Sequence, residues 1–358
     1  MMKDNTVSVD RSESPSAIRF SDVFNAAVPF IDRHLDEGRA DKTVIRTEQG
    51  DVTYRELAER VNRCGNALLA LGIAPGDRVL LVIRDCPEFF YAVWGAIKAG
   101  IIPVPLNTML RAHDYRFMIE DSTCAAMIYS PQFAAEVVPA VEAAEHKPAH
   151  LLATDGEGSL TALMAAASAD LAPARTAPHD DCLWLYSSGS TGSPKGVVHA
   201  HRDSVFTSQY FGVETLGIGE DDVVFSAPRL FFSYGFGNAM TFPLWIGATA
   251  VLSDNVPTPE STFDIIERFR PTVFFGVPTL YARQLAAIET QRPDLSSVRF
   301  AVSAGEPLPA EIFRGFRDKA GITILDGIGS TEVHHIFISN TLTDARPGST
   351  GRPVTGYE

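Results

Sequence analysis

Cysteine is scarce in this 358-residue chain, and no two cysteines form a C-x-x-C pair. The four cysteines are Cys64, Cys86, Cys124 and Cys182, and no histidine lies at metal-ligand spacing from any of them. This spacing argues against a disulfide framework and against a zinc site built on cysteines. We therefore expect buried, reduced thiols in a cytoplasmic protein.

Long apolar runs and basic clusters are also missing. No run approaches the roughly 20 apolar residues that span a bilayer, and the first residues lack the apolar core of a secretory signal, so we expect a frayed N-terminal tail. Lys and Arg number 30 against 44 Asp and Glu, giving a formal net charge of −14. A negative chain without a basic patch repels phosphate backbones and anionic lipids. Nucleic acid and membrane are therefore not expected as partners.

What the sequence does contain is a regular alternation of helix and strand patterns. Apolar residues recur at helical spacing in 54–71, and further helices are predicted from Pro87 to Gly100 and around 111–120. The predicted strands are 78–83, 101–106, 124–129, 182–186, 223–226, 248–252, 272–275, 299–303 and 323–325. Such alternation favours an α/β fold of two adjacent βαβ-type subdomains, whose mostly parallel sheets are flanked by helices. A segment rich in Ala, Ser, Gly and Pro places the boundary near residue 175.

The segment after the predicted strand 182–186 has the composition of a phosphate-binding loop. It reads Ser187, Ser188, Gly189, Ser190, Thr191, Gly192, Ser193, Pro194, Lys195 and Gly196. Glycines expose backbone N–H groups to an anion, hydroxyls donate hydrogen bonds and the lysine neutralises charge. Pro194 replaces the glycine that a Walker motif requires, which argues against an ordinary kinase or ATPase. A flexible Ser/Gly connector is the alternative reading.

Two further segments occur with this loop in the order typical of the adenylate-forming enzymes. They are Ser303-Ala304-Gly305-Glu306-Pro307-Leu308 and Asp326-Gly327-Ile328-Gly329-Ser330-Thr331-Glu332. The chain resembles this superfamily from about residue 20 onward. Two more stretches, 230–235 and 331–337, resemble the benzoate-CoA ligases most closely. The resemblance implies that ATP, Mg²⁺ and coenzyme A are used to convert an aromatic acid first to an acyl-adenylate and then to a thioester.

The resemblance also implies roles for individual residues. The nucleotide would be bound by Ser187, Ser188, Gly189, Ser190, Thr191, Gly192, Lys195, Ala304, Gly305, Glu306, Pro307, Asp326, Gly327, Ile328, Gly329, Ser330 and Thr331. Within this set, Thr191 and Lys195 would act on the leaving phosphates. Glu332, which follows the set, would bind Mg²⁺. An ordinary strand-to-helix turn at Pro307 and a solvated carboxylate at Glu332 are the alternatives.

For the acid, the resemblance implies a narrow slot. Its walls would be Ser233, Tyr234, Gly235, Ala304, Gly327, Gly329, His335 and Ile336. The glycines would leave room for a planar ring, and His335 would donate a hydrogen bond to the carboxylate. A satisfied structural histidine is the alternative. Ser233, where benzoate ligases tend to have alanine, leaves hydroxy- and aminobenzoate open beside benzoate.

Together with the boundary near residue 175, the resemblance predicts three parts within the chain. Residues 1–175 and 176–340 would be the two α/β subdomains, and residues 341–358 would begin a third, barrel-like subdomain. The family normally continues with a mobile lid domain, so we expect this chain to bind ATP and acid but to form thioester poorly. An adenylation domain that loads a carrier protein, and a non-catalytic fragment that binds aromatic acids, stay open as alternatives.

Overall fold

The computed structural model describes residues 2–187 and 194–357, which fall into two compact units. Unit 1 takes its described residues from Met1–Ser8, Arg19–Lys42 and Val52–Asp203, and unit 2 from Val9–Ile18, Thr43–Asp51 and Ser204–Glu358. These units divide the chain differently from the predicted boundary near residue 175. Part of the difference arises because residues 43–47 pair with residues 249–251 in the sheet of unit 2, so 43–51 belong to that unit.

Helices and strands alternate along most of the chain. The strands are β1 (Val7–Asp10), β2 (Ala17–Phe20), β3 (Thr43–Thr47), β4 (Gly50–Thr53), β5 (Arg78–Val82), β6 (Ile102–Pro105), β7 (Ala126–Tyr129), β8 (His150–Ala153), β9 (Asp181–Ser187), β10 (Lys195–Ala200), β11 (Val223–Ser226), β12 (Thr249–Val251), β13 (Val273–Gly276), β14 (Phe300–Ser303), β15 (Ile324–Gly329), β16 (Ile336–Ser339) and β17 (Arg352–Pro353). The α-helices are α1 (Arg33–Asp36), α2 (Tyr54–Ala70), α3 (Pro87–Lys98), α4 (Ala112–Ser122), α5 (Ala134–Ala143), α6 (Leu160–Ala166), α7 (Asp203–Thr207), α8 (Ser233–Phe236), α9 (Phe242–Ile246), α10 (Pro259–Phe269), α11 (Pro278–Gln291) and α12 (Ala310–Ala320). Segments Val28–Asp32, Ser208–Thr215 and Gly237–Thr241 are π-helical, and Pro131–Phe133 is a 3₁₀ turn.

Unit 1 contains a four-stranded parallel sheet in the order β6-β5-β7-β8. Helix α2 begins at a capping box, in which Thr53 and Glu56 each satisfy a backbone N–H of the other. Helix α3 carries Lys98, which is buried and donates to the Oδ1 atoms of Asp32 at 2.7 Å and Asn62 at 2.6 Å. Burial raises the pKa of Asp32, and the neighbouring Lys98 ammonium partly offsets that rise.

Strands β9 and β10 form an antiparallel hairpin in unit 1, with Lys195 opposite Ser187 in the register. Strand β9 packs against β6, which explains why the hairpin stays with unit 1 and why the unit extends past residue 175. Residues 188–193, which join the two strands, lie outside the described residues.

Unit 2 is built on a nine-stranded sheet in the order β17-β16-β15-β14-β13-β11-β12-β3-β4. In this sheet the neighbouring strands β15, β14, β13, β11, β12 and β3 pair in parallel. Strands β16 and β17 add an antiparallel edge. Successive side chains of the central strands enter two different cores. Phe274, Ala301 and Ile324 pack beneath helices α10–α12, and Phe275, Val302 and Leu325 pack against Phe211 and Phe242. The predicted α/β class with mostly parallel, helix-flanked sheets is confirmed.

Two details of the sequence reading change in the structure. The N-terminal residues are not a frayed tail, because β1 pairs with β2 and the Ser21 N–H donates to the Thr6 carbonyl at 3.1 Å. The sequence reading also gave no strands at β16 and β17. In the described part of 341–358 the chain adds only β17 to the sheet edge, so a separate third subdomain there stays a prediction.

All four cysteines are buried and free, as expected. Burial raises the pKa of each thiol, and that of Cys64 reaches about 12. No helix in the described ranges 2–187 and 194–357 is both long and apolar enough to cross a membrane.

Candidate active site

Tyr234 spans the carboxyl edge of the unit 2 sheet, which is the edge where ligands of parallel sheets bind. Its hydroxyl lies 3.1 Å from the Val302 carbonyl of β14 and 3.3 Å from the Gly276 carbonyl of β13. The Tyr281 hydroxyl donates to the same Val302 carbonyl at 2.8 Å. Burial raises the pKa of both phenols well above 10, so each stays a neutral donor. The two tyrosines therefore bond the same strand carbonyl, and Tyr234 bridges β13 and β14.

The ends of β14 and β15 present two chemically different faces. Ala304 and Ile336 lie in the same buried cluster as Phe211 and Phe242, and Tyr234 packs against that cluster. We call this side the apolar face. On the other side, Leu308 belongs to the core beneath helices α10–α12 and its N–H bonds the Asp326 carboxyl group. We call this second side the polar face.

Asp326 is the titratable group of the polar face. The residue is 4% exposed, and desolvation raises the pKa of its carboxyl group from 3.8 to about 6, although the backbone N–H groups of Leu308 and Gly327 partly oppose the rise. Its Oδ1 atom has no hydrogen-bond partner among the described residues, and neither does the buried Oγ of Ser303 on the neighbouring strand. A ligand that donates hydrogen bonds would satisfy these atoms.

The predicted metal ligand lies on the turn that joins β15 to β16. The Ser330 N–H donates to the His335 carbonyl at 3.3 Å, and the His334 N–H donates to the Thr331 carbonyl at 3.0 Å. His334 takes a left-handed φ of 67°, and its Nε2 lies 3.0 Å from the Oγ of Ser204. Glu332 is exposed on this turn.

His335 directly precedes β16, and its buried ring packs beside Phe211 and Phe242. Its Nε2 lies 3.1 Å from the Tyr234 carbonyl and 3.0 Å from the Oδ1 of Asn238, both of which are acceptors. Burial lowers the pKa of the imidazole to about 3, so the ring is neutral and its one proton is on Nε2. This geometry argues against the predicted hydrogen bond from His335 to the acid's carboxylate, because the only N–H is already donated.

The predicted slot glycines are explained by packing against the protein itself. A Cβ at Gly235 would lie 2.0 Å from the Arg229 carbonyl oxygen, one at Gly327 would lie 2.9 Å from that of Ile338, and one at Gly329 would lie 2.8 Å from that of His335. These contacts alone require glycine at the three positions, and the expectation that the glycines leave room for a ring stays a prediction. Gly305 differs, since its φ of 92° demands glycine and no atom lies within 4 Å of the Cβ position.

The remaining predicted residues are divided between the two units. In unit 2, Ser233 begins α8 and is half-buried, while Glu306, Pro307 and Ile328 are exposed. In unit 1, Ser187 ends β9 and Lys195 begins β10 with an exposed side chain. Ser188, Gly189, Ser190, Thr191, Gly192 and Ser193 lie outside the described residues.

Two asparagines that sequence reasoning missed hold this site together. Asn238 follows Tyr234 at the i, i+4 spacing of a helix, and this spacing is the signal that could have found it. Asn340 is buried, and its backbone N–H and Nδ2 both bond the Asp326 carbonyl, at 3.0 and 3.2 Å. Its Nδ2 also lies 2.6 Å from the Ser349 carbonyl. No motif in the sequence marks Asn340.

Among the described residues, Glu332 is the predicted ligand of a magnesium ion. In the part of the chain that the structure describes, no group of three or more His, Cys, Asp and Glu side chains could hold a metal ion. Mg²⁺ is commonly bound by one or two carboxylates together with substrate phosphates. Glu332, exposed and carboxylate-bearing, fits a site of that kind.

Known proteins similar to this chain share both its sequence and its fold. The AMP-binding enzyme family matches residues 32–358. The benzoate-CoA ligase of Thauera aromatica is 46% identical over 98% of this chain and 67% of its own length. The 4-hydroxybenzoate-CoA/benzoate-CoA ligase of Rhodopseudomonas palustris is 42% identical over 93% of this chain and 62% of its own length.

The structural comparison agrees. A benzoate CoA ligase from Burkholderia xenovorans LB400 superposes with a TM-score of 0.87 at 42% identity, covering 94% of this chain and 67% of that one. The chain thus spans about two thirds of the length of these relatives. These matches confirm the resemblance to the adenylate-forming enzymes that the motifs indicated. The chain belongs to the family of AMP-binding enzymes.

Proposed function

We propose that this chain carries the nucleotide- and acid-binding part of an AMP-forming ligase that activates benzoate or a hydroxy- or aminobenzoate. The relatives named for benzoate and 4-hydroxybenzoate support the acid class. The observation that carries the proposal is that the ends of β14 and β15 have an apolar face on one side and a polar face on the other. An aromatic acid suits the apolar face around Tyr234 and Ile336, and a nucleotide suits the acceptors of the polar face around Asp326.

The nucleotide base is assigned to the polar face. Gly305 has open space where a side chain would stand, so a flat base can lie against the backbone of Ala304 and Gly305. The unpaired Oδ1 of Asp326 is suited to accept a hydrogen bond from an exocyclic amino group. Thr331 and Glu332, on the turn after β15, are assigned to the α-phosphate and to Mg²⁺ respectively.

The phosphate-loop residues are assigned to the β- and γ-phosphates. Lys195 is exposed at the start of β10, where its ammonium group can pair with an anion. The hydroxyls of Ser190 and Thr191 and the N–H of Gly192 complete this assignment, which the resemblance of the loop to that of the adenylate-forming enzymes implies. Neutralising the leaving pyrophosphate lowers the barrier to its departure.

The proposed reaction brings together two anions, so the protein must screen their charge and align them. A carboxylate oxygen attacks the α-phosphorus of ATP, and the bond to the bridging oxygen breaks as pyrophosphate leaves. The thiolate of coenzyme A then attacks the acyl carbon of the adenylate, and AMP leaves with the bonding electrons. Tyr234 and Ile336 hold the ring during both steps, since they line the apolar face.

Binding and adenylate formation test this function directly. We expect calorimetric titration to show benzoate bound more tightly than hexanoate, and benzoate-dependent exchange of labelled pyrophosphate into ATP in the presence of MgCl₂. Glu332→Gln should reduce the exchange at least tenfold. Glu311→Gln, which changes an exposed carboxylate on α12, is the matched control and should leave it unchanged. Tight hexanoate binding with no aromatic acid bound would overturn the proposal.

A further inference from the structure

Asn340 is a buried residue directly after β16 that the proposed reaction does not use. Its Nδ2 donates to the Asp326 carbonyl at 3.2 Å and to the Ser349 carbonyl at 2.6 Å. Its Oδ1 accepts from the Arg346 N–H at 3.3 Å. A carbonyl can only accept and a backbone N–H can only donate, so these three contacts fix the orientation of the amide. Asn340 therefore joins the end of β15 to the segment that follows β16.

The peptide bond between Asp326 and Gly327 connects Asn340 to the Asp326 side chain. This bond is trans, and the C=O and N–H of a planar trans peptide point in opposite directions. A restraint on the carbonyl is therefore also a restraint on the N–H. Asn340 bonds the carbonyl of this peptide, and the Gly327 N–H of the same peptide bonds the Asp326 carboxyl group. One rigid unit thus links the amide of Asn340 to the carboxyl group.

Strand pairing alone does not require the Asn340 side chain. The Asp326 carbonyl already accepts the Asn340 backbone N–H at 3.0 Å, so the Nδ2 is a second donor to an acceptor that the sheet has satisfied. This second donor lies where the pairing is irregular, because the register between β15 and β16 shifts between Ile328 and Gly329, just beyond the peptide. The side chain therefore restrains the carbonyl next to an interruption of the strand pairing.

We infer that Asn340 is a positioning residue of the nucleotide subsite, which holds the Asp326 carboxyl group in place for the base through the 326–327 peptide. The inference rests on the proposed function, in which Asp326 accepts a hydrogen bond from an exocyclic amino group. Asn340 acts only through Asp326, because both hydrogens of its Nδ2 are donated to the carbonyls of Asp326 and Ser349. Without this side chain the peptide can rotate, and the Gly327 N–H turns away from the carboxyl group.

The first test needs no nucleotide. In ¹³C-aspartate-labelled full chain, Asn340→Ala should raise the pKa of Asp326 by roughly half a unit, because the carboxylate loses a backbone N–H that favours its charged form. Tyr234, whose phenol interacts with this carboxyl group, stays neutral over the titrated range. Arg346→Ala is the matched control. It removes the ion pair with Asp344 but keeps the N–H that bonds Asn340, so it should leave the pKa of Asp326 unchanged.

The second test compares ATP with purine riboside 5′-triphosphate, which lacks only the exocyclic amino group. Wild-type protein should bind ATP about tenfold more tightly, as expected for a hydrogen bond to a charged acceptor. In Asn340→Ala this ratio should fall to about threefold or less. Each ratio compares two ligands on one protein, so a general loss of stability does not change it. Ser339→Ala removes a buried hydroxyl that donates to the Asn340 carbonyl and should keep the wild-type ratio.

The wild-type spectrum keeps the test decisive where Asn340→Ala does not fold. The Nδ2 hydrogens of Asn340 should shift with the same midpoint as the Asp326 carboxyl carbon, because one peptide links the two groups. Given wild-type preference for ATP, an Asp326 pKa or a nucleotide ratio that is unchanged in Asn340→Ala would refute the inference while the proposed function stands. Asn340 signals that stay fixed as Asp326 titrates would do the same. Equal wild-type affinities for the two nucleotides would instead refute the assignment of the base to Asp326.

Discussion

Replacing Asp326 with asparagine should stabilise the protein above neutral pH and leave its stability near pH 4 unchanged. The side chain is 4% exposed, and desolvation raises the pKa of its carboxyl group from 3.8 to about 6. Between these two values the folded state binds more protons at this group than the unfolded state does. Stability contributed by Asp326 is therefore complete below pH 3.8 and is lost as the pH rises through 6.

The size of this loss follows from the size of the pKa change. A rise of about two pH units, at about 1.4 kcal/mol per unit, gives an upper limit near 3 kcal/mol for the loss in wild type above pH 7. Asparagine has the shape and the neutral charge of the protonated acid, and its Oδ1 can accept from the same two backbone N–H groups. The difference between Asp326→Asn and wild type should thus grow from about zero at pH 4 toward this limit at pH 8.

Urea unfolding of both proteins between pH 4 and 8, followed by far-ultraviolet circular dichroism, measures that difference. Titration of ¹³C-labelled aspartates, with the Asp326 signal assigned by its absence in the variant, gives the pKa directly. Asp318→Asn removes an exposed carboxylate from α12 and should show no such pH dependence. An Asp326 pKa below 4.5, or a stability difference that is constant with pH, would refute the reasoning.

Three further changes test the packing, each by urea unfolding at pH 7. Gly237→Ala should destabilise the protein by about 2 kcal/mol, because overpacking against the enclosed His335 ring outweighs the gain in helix propensity. Its control is Gly219→Ala, which should have little effect because the added Cβ would lie 3.9 Å from the nearest atom. Lys98→Met should cost about 3 kcal/mol, since it leaves the Asp32 carboxylate without its buried partner, and a loss below 1 kcal/mol would contradict this. Arg299→Met should cost about 1–3 kcal/mol by removing the hydrogen bonds to the buried Asp222 carboxylate, whereas Arg55→Met, in an exposed pair with Asp41, should change stability by under about 0.5 kcal/mol.

The central strands of the fold were predictable from the sequence because their signals are local. Strand 223–226 was predicted with its observed bounds, and 299–303 differs from β14 by one residue at its start. Buried parallel strands give short apolar runs, which stand out between helices. Strand β16 gave no comparable signal, because it lies near the sheet edge and pairs with β15 in the antiparallel direction.

The motifs predicted site residues at Asp326 and His335, and the structure places them on β15 and directly before the neighbouring strand β16. Their roles stay a prediction, and their chemical environment could not be read from the sequence. The protonation of His335, however, depends on the carbonyl of Tyr234, which lies 101 residues earlier in the chain. The packing at Gly235 was hidden for a similar reason, since the atoms that crowd its Cβ position belong to the carbonyls of Pro228 and Arg229. Contacts of this kind arise only after the chain has folded.

The opposite faces of β14 and β15 have a consequence for how such an enzyme diversifies. Successive residues of a strand point to opposite sides, so Ala304 and Ile336 can be exchanged for other side chains without touching the carboxyl group of Asp326. On the proposed assignment, substitutions on the apolar face can change the preferred acid without changing the nucleotide subsite. Libraries that vary only the apolar face should therefore retain ATP binding in most members, even where the preferred acid has changed.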